Sequence, residues 1–162
     1  MTPKDICDRI ASKFADRTAF LLELKPEGVL DPFIKVAPAA LPEVARFLRD
    51  EPELAFDYLM CLSGMDYGKG ILGAVYHLAS VSKRHKITVK VEVPAALPEI
   101  PTVSAVWPTA NWHEREAYDL IGIRFTGHPD LRRILLPDDW EGHPLRKDYT
   151  VPEFYQGIKV PS

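Results

Sequence analysis

The residues with the most chemical potential lie between positions 107 and 149. His113 and Glu114 open as a zinc-hydrolase helix does, with a metal-binding imidazole followed by a general base. Such a site needs a second histidine one helical turn on, and that position is Ala117, so the metal pair is missing. The stretch GMDYGKG, 64–70, is similar to a phosphate-binding loop, but its glycines are too closely spaced and no hydroxyl residue follows Lys69. It reads as a hairpin turn whose glycines supply positive φ. His128 and His143 each precede proline, a setting in which a backbone hydrogen bond is the expected use. Adjacent Asp138 and Asp139 suit turn solvation and capping rather than paired acid–base work. No Gly-x-Gly-x-x-Gly follows a strand, so no dinucleotide site is expected. Cys7 and Cys61 stand far apart, are expected to be reduced, and are too few for a four-thiolate centre. The expectation is no catalytic residue, no cofactor-binding residue and no metal ligand on this chain. A free-standing enzyme would have to build its site from His113 and Glu116 with a bound metal.

The elements that position these residues follow from composition and pattern. With 162 residues, 46% hydrophobic and 27% charged, the chain is long enough for one ordinary domain and too apolar for disorder. A formal net charge of −3 argues against a protein whose main work is neutralising phosphates. No run of about 18 apolar residues is present, and no secretory leader is read at the amino terminus. Residues 3 to 15 predict an amphipathic helix capped by Thr2, with Ile6, Ile10 and Phe14 on one face. Short strands are expected at TAFLLELK and around Phe33, Ile34 and Val36, then a helix within LPEVARFLRDEPEL, opening on Pro42 and ending near Glu51–Pro52. DYLMCLSGMDYG, ILGAVYHLASVS and KITVKVEVP predict an antiparallel meander. In the third strand Ile87, Val89, Val91 and Val93 face the core, and Thr88, Lys90 and Glu92 face water. The expected class is α+β: a two-layer domain over 1–150, its antiparallel sheet flanked by helices, followed by an irregular proline-rich carboxy-terminal arm over 151–162.

Within NWHEREAYDLIG the spacing predicts a helix capped by Asn111 and stopped at Gly122. Ala117, Leu120 and Ile121 form its apolar arc, while Arg115, Glu116 and Asp119 share the opposite face, with Arg115 and Asp119 able to pair. Trp112 lies in that charged face, which suits either a partner contact or a fold under the proline-rich segment before it. Glu114 suits either a capping role or a buried salt bridge to Arg124, Arg132 or Arg133. Short strands are expected at Ile123–Phe125 and again from Arg132 to Leu136, where Arg132 and Arg133 would point to opposite sides. Phe154, Tyr155, Ile158 and Val160 lie in a segment too short to bury them, expected to be an extended, frayed arm that docks on a partner.

The run from Ala110 to Tyr149 resembles the characteristic motif of the C subunit of bacterial complex I, the proton-pumping NADH:quinone oxidoreductase. The resemblance rests on Glu114, Arg115 and Glu116, then Asp119 and Leu120, then His128, Pro129, Arg132 and Arg133. It implies a separate polypeptide in the peripheral arm, on the cytoplasmic side of the inner membrane, that packs chiefly on the D subunit near the quinone module. It further implies that flavin and iron–sulfur clusters reside on partner subunits. Trp112, Glu114, Arg115, Glu116, Asp119, Arg132, Arg133, Phe154 and Tyr155 are then the candidate structural or partner-contact residues. The related possibility is a homologous scaffold in a membrane-bound hydrogenase or a quinone oxidoreductase fed by another donor.

Overall fold

The computed structural model describes residues 1–160. The first helix, α1 (Pro3–Lys13), begins as expected. Thr2 Oγ1 accepts the N–H of Asp5 while the Asp5 carboxylate accepts the N–H of Thr2, and Pro3 occupies a position that needs no N–H donor. Its buried residues Ile6, Cys7 and Ile10 lie at helical spacing. Strands β1 (Leu21–Lys25) and β2 (Phe33–Val36) form a hairpin. A short 3-10 turn over Pro38–Ala40 leads into α2 (Leu41–Asp50), which buries Leu41, Val44, Ala45 and Leu48.

Strands β3 (Tyr58–Gly68), β4 (Ile71–Ser80) and β5 (His85–Pro94) make the expected antiparallel meander. The β3–β4 turn lies at Gly68–Lys69–Gly70, all three with positive φ, so the glycine-rich stretch is a hairpin turn. The five strands are ordered β1-β2-β5-β4-β3. The fully antiparallel expectation needs one correction: β2 lies parallel to β5, with Phe33, Ile34 and Lys35 opposite Thr88, Val89 and Lys90. The reason is topological. The chain leaves β2 through α2 and completes the β3–β4 hairpin before β5 reaches the remaining free edge of β2, by then running the same way.

Opposed residues share a side of the sheet. Leu62, Tyr76 and Val89 lie in one cross-strand row, Ala74 and Val91 in the next, Leu72 and Val93 beyond them. These rows and the buried faces of the helices form a single core that includes Ile6, Ile10, Val44, Leu48 and Phe56. Burial of each such side chain contributes about 1.5–3 kcal/mol. On the other side Lys35 pairs with Glu92 at 2.5 Å and Lys90 stands 3.7 Å over the Phe33 ring. Thr88, expected to face water, is buried where its N–H reaches the carbonyl of Pro32.

Beyond the sheet, β6 (Glu99–Pro101) pairs in parallel with β7 (Arg124–Thr126), and α3 (Ala110–Ile121) lies between them in sequence. The Trp107 indole N–H donates to the carbonyl of Phe56 at 2.8 Å, tying the segment before α3 to the core. A two-residue hairpin, β8 (Phe154–Tyr155) with β9 (Ile158–Lys159), closes the described chain. The tail is therefore a small hairpin rather than a bare extended arm; of the expected 151–162 segment, residues 161–162 lie outside the described residues.

Candidate functional site: an anchored helix and the arm it holds

α3 sits close on the edge strand β3. A Cβ at Gly64 would meet Ala117 Cβ and Ile121 Cγ1 at 3.1 Å, so the absence of a side chain there sets the approach of helix to sheet. The helix ends as expected at Gly122, with φ of 85°, and its N–H returns to the carbonyls of Ala117 and Tyr118. The helix start differs. Its cap position is Thr109, with no side-chain hydrogen bond, so Asn111 does not cap it.

After β7 the chain runs irregularly over α3, and Arg132–Leu136 is not the expected strand. Its backbone amides find a side chain instead of a neighbouring strand. Asp119 Oδ2 accepts the consecutive N–H groups of Ile134, Leu135 and Leu136 at 3.0, 2.8 and 2.9 Å, a backbone concavity closed on a carboxylate. Asp119 Oδ1 takes the Arg133 guanidinium at 2.7 Å, and Arg133 also donates to the carbonyls of Trp140 and Gly142. His143 Nδ1 donates to the carbonyl of Asp119 at 2.9 Å, and its ring fills the space beside Gly122. Burial raises the Asp119 pKa, but the Leu136 amide, the Arg133 guanidinium and the Leu135 and Ile134 amides outweigh it and hold the carboxyl below its ordinary value. One residue, Asp119, thereby organises the arm from Arg133 to His143 through its carboxylate, its carbonyl and the guanidinium it holds.

Arg115 is buried and donates from Nε to the carbonyl of Arg132 and from Nη2 to that of Arg133. The expected solvated face of Arg115, Glu116 and Asp119 is thus corrected for two of its three members. Arg115 and Asp119 do not pair with each other; both turn to the backbone of the arm, which has no ladder of its own. Glu116 stays exposed. Arg132 is exposed and pairs with Asp130 at 2.9 Å.

Glu114 is 0% exposed. It neither caps the helix nor meets Arg124, Arg132 or Arg133, which corrects both expectations. Its Oε1 accepts the N–H of Val103 at 2.8 Å, and its Oε2 is hydrogen-bonded to the Thr102 hydroxyl. The turn that receives it, Thr102–Ser104, is not foreseen from the sequence; two hydroxyl residues flanking Val103 after a proline are the available signal.

Helix α3, the arm and the terminal hairpin together leave apolar side chains in solvent. Trp112 is 64% exposed, with the Arg115 guanidinium 5.4 Å from its ring. It does not fold under the proline-rich segment. Leu135, Leu145, Val151, Phe154 and Ile158 are also exposed. Tyr155 folds back, donating its hydroxyl to Asp139 at 2.8 Å with its ring 5.0 Å from that of Trp140. Between α3 and the free edge of β3 lies an open cleft of about 340 Å³, with His113 and Glu116 among its lining residues and Leu120 and Leu145 beside them. His128 Nε2 meets the carbonyl of Asn111, the backbone use expected of a turn histidine. The site contains anchors and an exposed apolar surface.

Residues 34–155 match the family described as respiratory-chain NADH dehydrogenase, 30 Kd subunit. The NADH-quinone oxidoreductase C subunit of Chloroherpeton thalassium is 53% identical over 154 residues, 94% of this chain and 62% of that protein, so the match spans less than two thirds of that relative. The protein of the same name from Chlorobium phaeobacteroides is 58% identical over 122 residues, 74% of each chain. Among solved structures, a trypsin-resistant fragment (1-134) of Nqo5 aligns with a TM-score of 0.64 at 27% identity, covering 81% of this chain and 100% of that one. A chain of an archaeal membrane-bound sulfane sulfur reductase aligns at 0.75 and 25% identity, covering 93% of this chain and 86% of that one. The matched span runs from β2 to the Tyr155 hairpin and takes in the whole Asp119 anchor, and the chain belongs to the 30 Kd subunit family of respiratory-chain NADH dehydrogenase.

Proposed function

We propose that this chain is a non-catalytic structural subunit of the peripheral arm of an NADH:quinone oxidoreductase, supporting electron transfer from NADH to quinone coupled to proton translocation. The observation that carries the reading is the arm itself. It is held by directed polar ties to α3, and its Leu135 and Leu145, with Trp112 of α3 and Phe154 of the terminal hairpin, stay in solvent, the composition of a contact surface. Relatives that bear the C subunit name at 53% and 58% identity support the host complex. In this reading flavin and iron–sulfur clusters reside on other subunits, the D subunit and the quinone module are the chief neighbours, and the chain lies on the cytoplasmic side of the inner membrane. No helix of the described residues is long and apolar enough to cross a membrane, which fits attachment through the complex. Fixed geometry is what such a part supplies, since electron transfer and quinone binding depend on it.

The test is Arg133→Ala in the host organism. Loss of the guanidinium leaves Asp119 without its cation and frees the carbonyls of Trp140 and Gly142. Assembled complex should fall several-fold, while the complex that remains reduces quinone at the normal rate per particle. Normal assembly with collapsed quinone reduction would show that the scaffold reading is wrong in kind. The likeness to a sulfane sulfur reductase chain favours a second reading, a scaffold serving another electron donor. Purified complex that oxidises NADH sets that reading aside.

A further inference from the structure

We propose that Glu114 carries a structural proton: below neutral pH the folded chain holds it as a neutral carboxylic acid, and its ionisation acts as a pH-sensitive latch between α3 and the Thr102–Ser104 turn. The latch does not depend on the identity of the host complex.

Among the described residues, none supplies Glu114 with a countercharge. From β4 comes Tyr76, whose buried hydroxyl has no hydrogen-bond partner among the described residues. The turn contributes Thr102, the Val103 amide and Ser104. From beyond β7 comes His128, with Nε2 3.9 Å from Oε2. On α3 itself the neighbouring Arg115 points its guanidinium to the carbonyls of Arg132 and Arg133. No lysine or arginine of the described residues pairs with Glu114.

His128 does not fill that role. Its Nδ1 accepts the N–H of Asp130 at 3.0 Å and so carries no proton. Its Nε2 faces the carbonyl of Asn111 at 3.1 Å and must donate to it. Those two bonds select the neutral Nε2–H tautomer, and the 3.9 Å approach is not an ion pair.

The hydroxyls suit a neutral acid. Thr102 Oγ1 accepts the Ser104 N–H and lies 2.9 Å from Ser104 Oγ as well as against Glu114 Oε2. A protonated Oε2 donates to Thr102, whose own single proton passes to Ser104. An ionised Glu114 would hold a buried charge with only the Val103 amide and one hydroxyl to stabilise it, where Asp119 has three amides and a guanidinium. Burial pushes the Glu114 carboxyl up to about 7, against smaller opposing effects of Thr102 and Val103.

Because the folded value exceeds the ordinary 4.5, the proton binds the folded chain more tightly than the unfolded one, and the Glu114 contribution to stability falls as pH rises from 4.5 to about 7. The experiment titrates the Glu114 carboxyl carbon by NMR in the full chain. A midpoint of about 7 is expected; a midpoint near 4.5 overturns the proposal. Glu114→Gln supplies the second readout, since its amide oxygen can accept from Val103 and its NH2 can donate to Thr102. Denaturant unfolding of this variant should lose the decline that the parent shows between those pH values. An unchanged decline overturns the proposal too, and if the variant does not fold the carboxyl titration decides alone.

Discussion

The sheet and the arm are held by different forces. In the sheet region, Leu48, Leu54, Phe56 and their neighbours are buried in a core shared by many side chains, and each contributes a non-directional share. In the arm, from Leu131 to Tyr149, little apolar surface is buried and stability rests on a handful of bonds converging on Asp119 and Arg115. Damage should therefore be graded in one region and abrupt in the other. Losing a core methyl group leaves its neighbours to relax around the gap. Losing Asp119 orphans three amides at once and leaves the Arg133 guanidinium without its carboxylate.

The largest effect is expected for Asp119→Ala. Removing one member of a fully buried pair costs about 3–5 kcal/mol; Asp119 is buried and Arg133 partly so, and the loss should be local, read as rapid trypsin cleavage at Arg132 or Arg133 with the main unfolding transition retained. If that transition falls as far as in a core variant, arm and sheet are one unit. Acid should act in the same sense. The Asp119 carboxyl lies below the ordinary 3.8, so its contribution is complete above 3.8 and is lost as pH falls through the folded value, releasing the arm. Leu48→Ala comes next. It should lower the global unfolding free energy by about 2–5 kcal/mol, leaving cleavage of the folded arm unchanged. The smallest effect is expected for Thr2→Ala, which removes one half of the α1 capping box and should cost about 0.5–2 kcal/mol by denaturant unfolding.

Legibility in the sequence follows the same division. The three main strands and the first two helices are readable because apolar spacing reports directly on which side is buried, as in Ile87, Val89 and Val91. The parallel β2–β5 contact is not, because strand pattern carries no direction of pairing. At the motif the residue types are legible and their partners are not. On a helical wheel Asp119 and Arg115 read as solvent-facing, since charge normally means solvation. Only the path of the following segment over that face makes it an interior. Arg132–Leu136 misleads for the matching reason: it has the composition of a strand but gives its amides to one carboxylate. The proline-rich stretch before α3 hides β6, which forms only because β7, more than twenty residues later, returns beside it.

The parallel seam between β2 and β5 also sets an order of events in folding. The β3–β4 and β4–β5 hairpins close over tight turns and can form quickly from neighbouring residues. Phe33 must instead find Thr88 across the whole of α2 and that hairpin pair, a large loop to close for three paired residues. The meander is therefore expected to form first and to template the β1–β2 hairpin as its last addition. Opening of the native sheet should run in reverse, beginning at the amino-terminal pair of strands and far from the surface on which the arm is displayed.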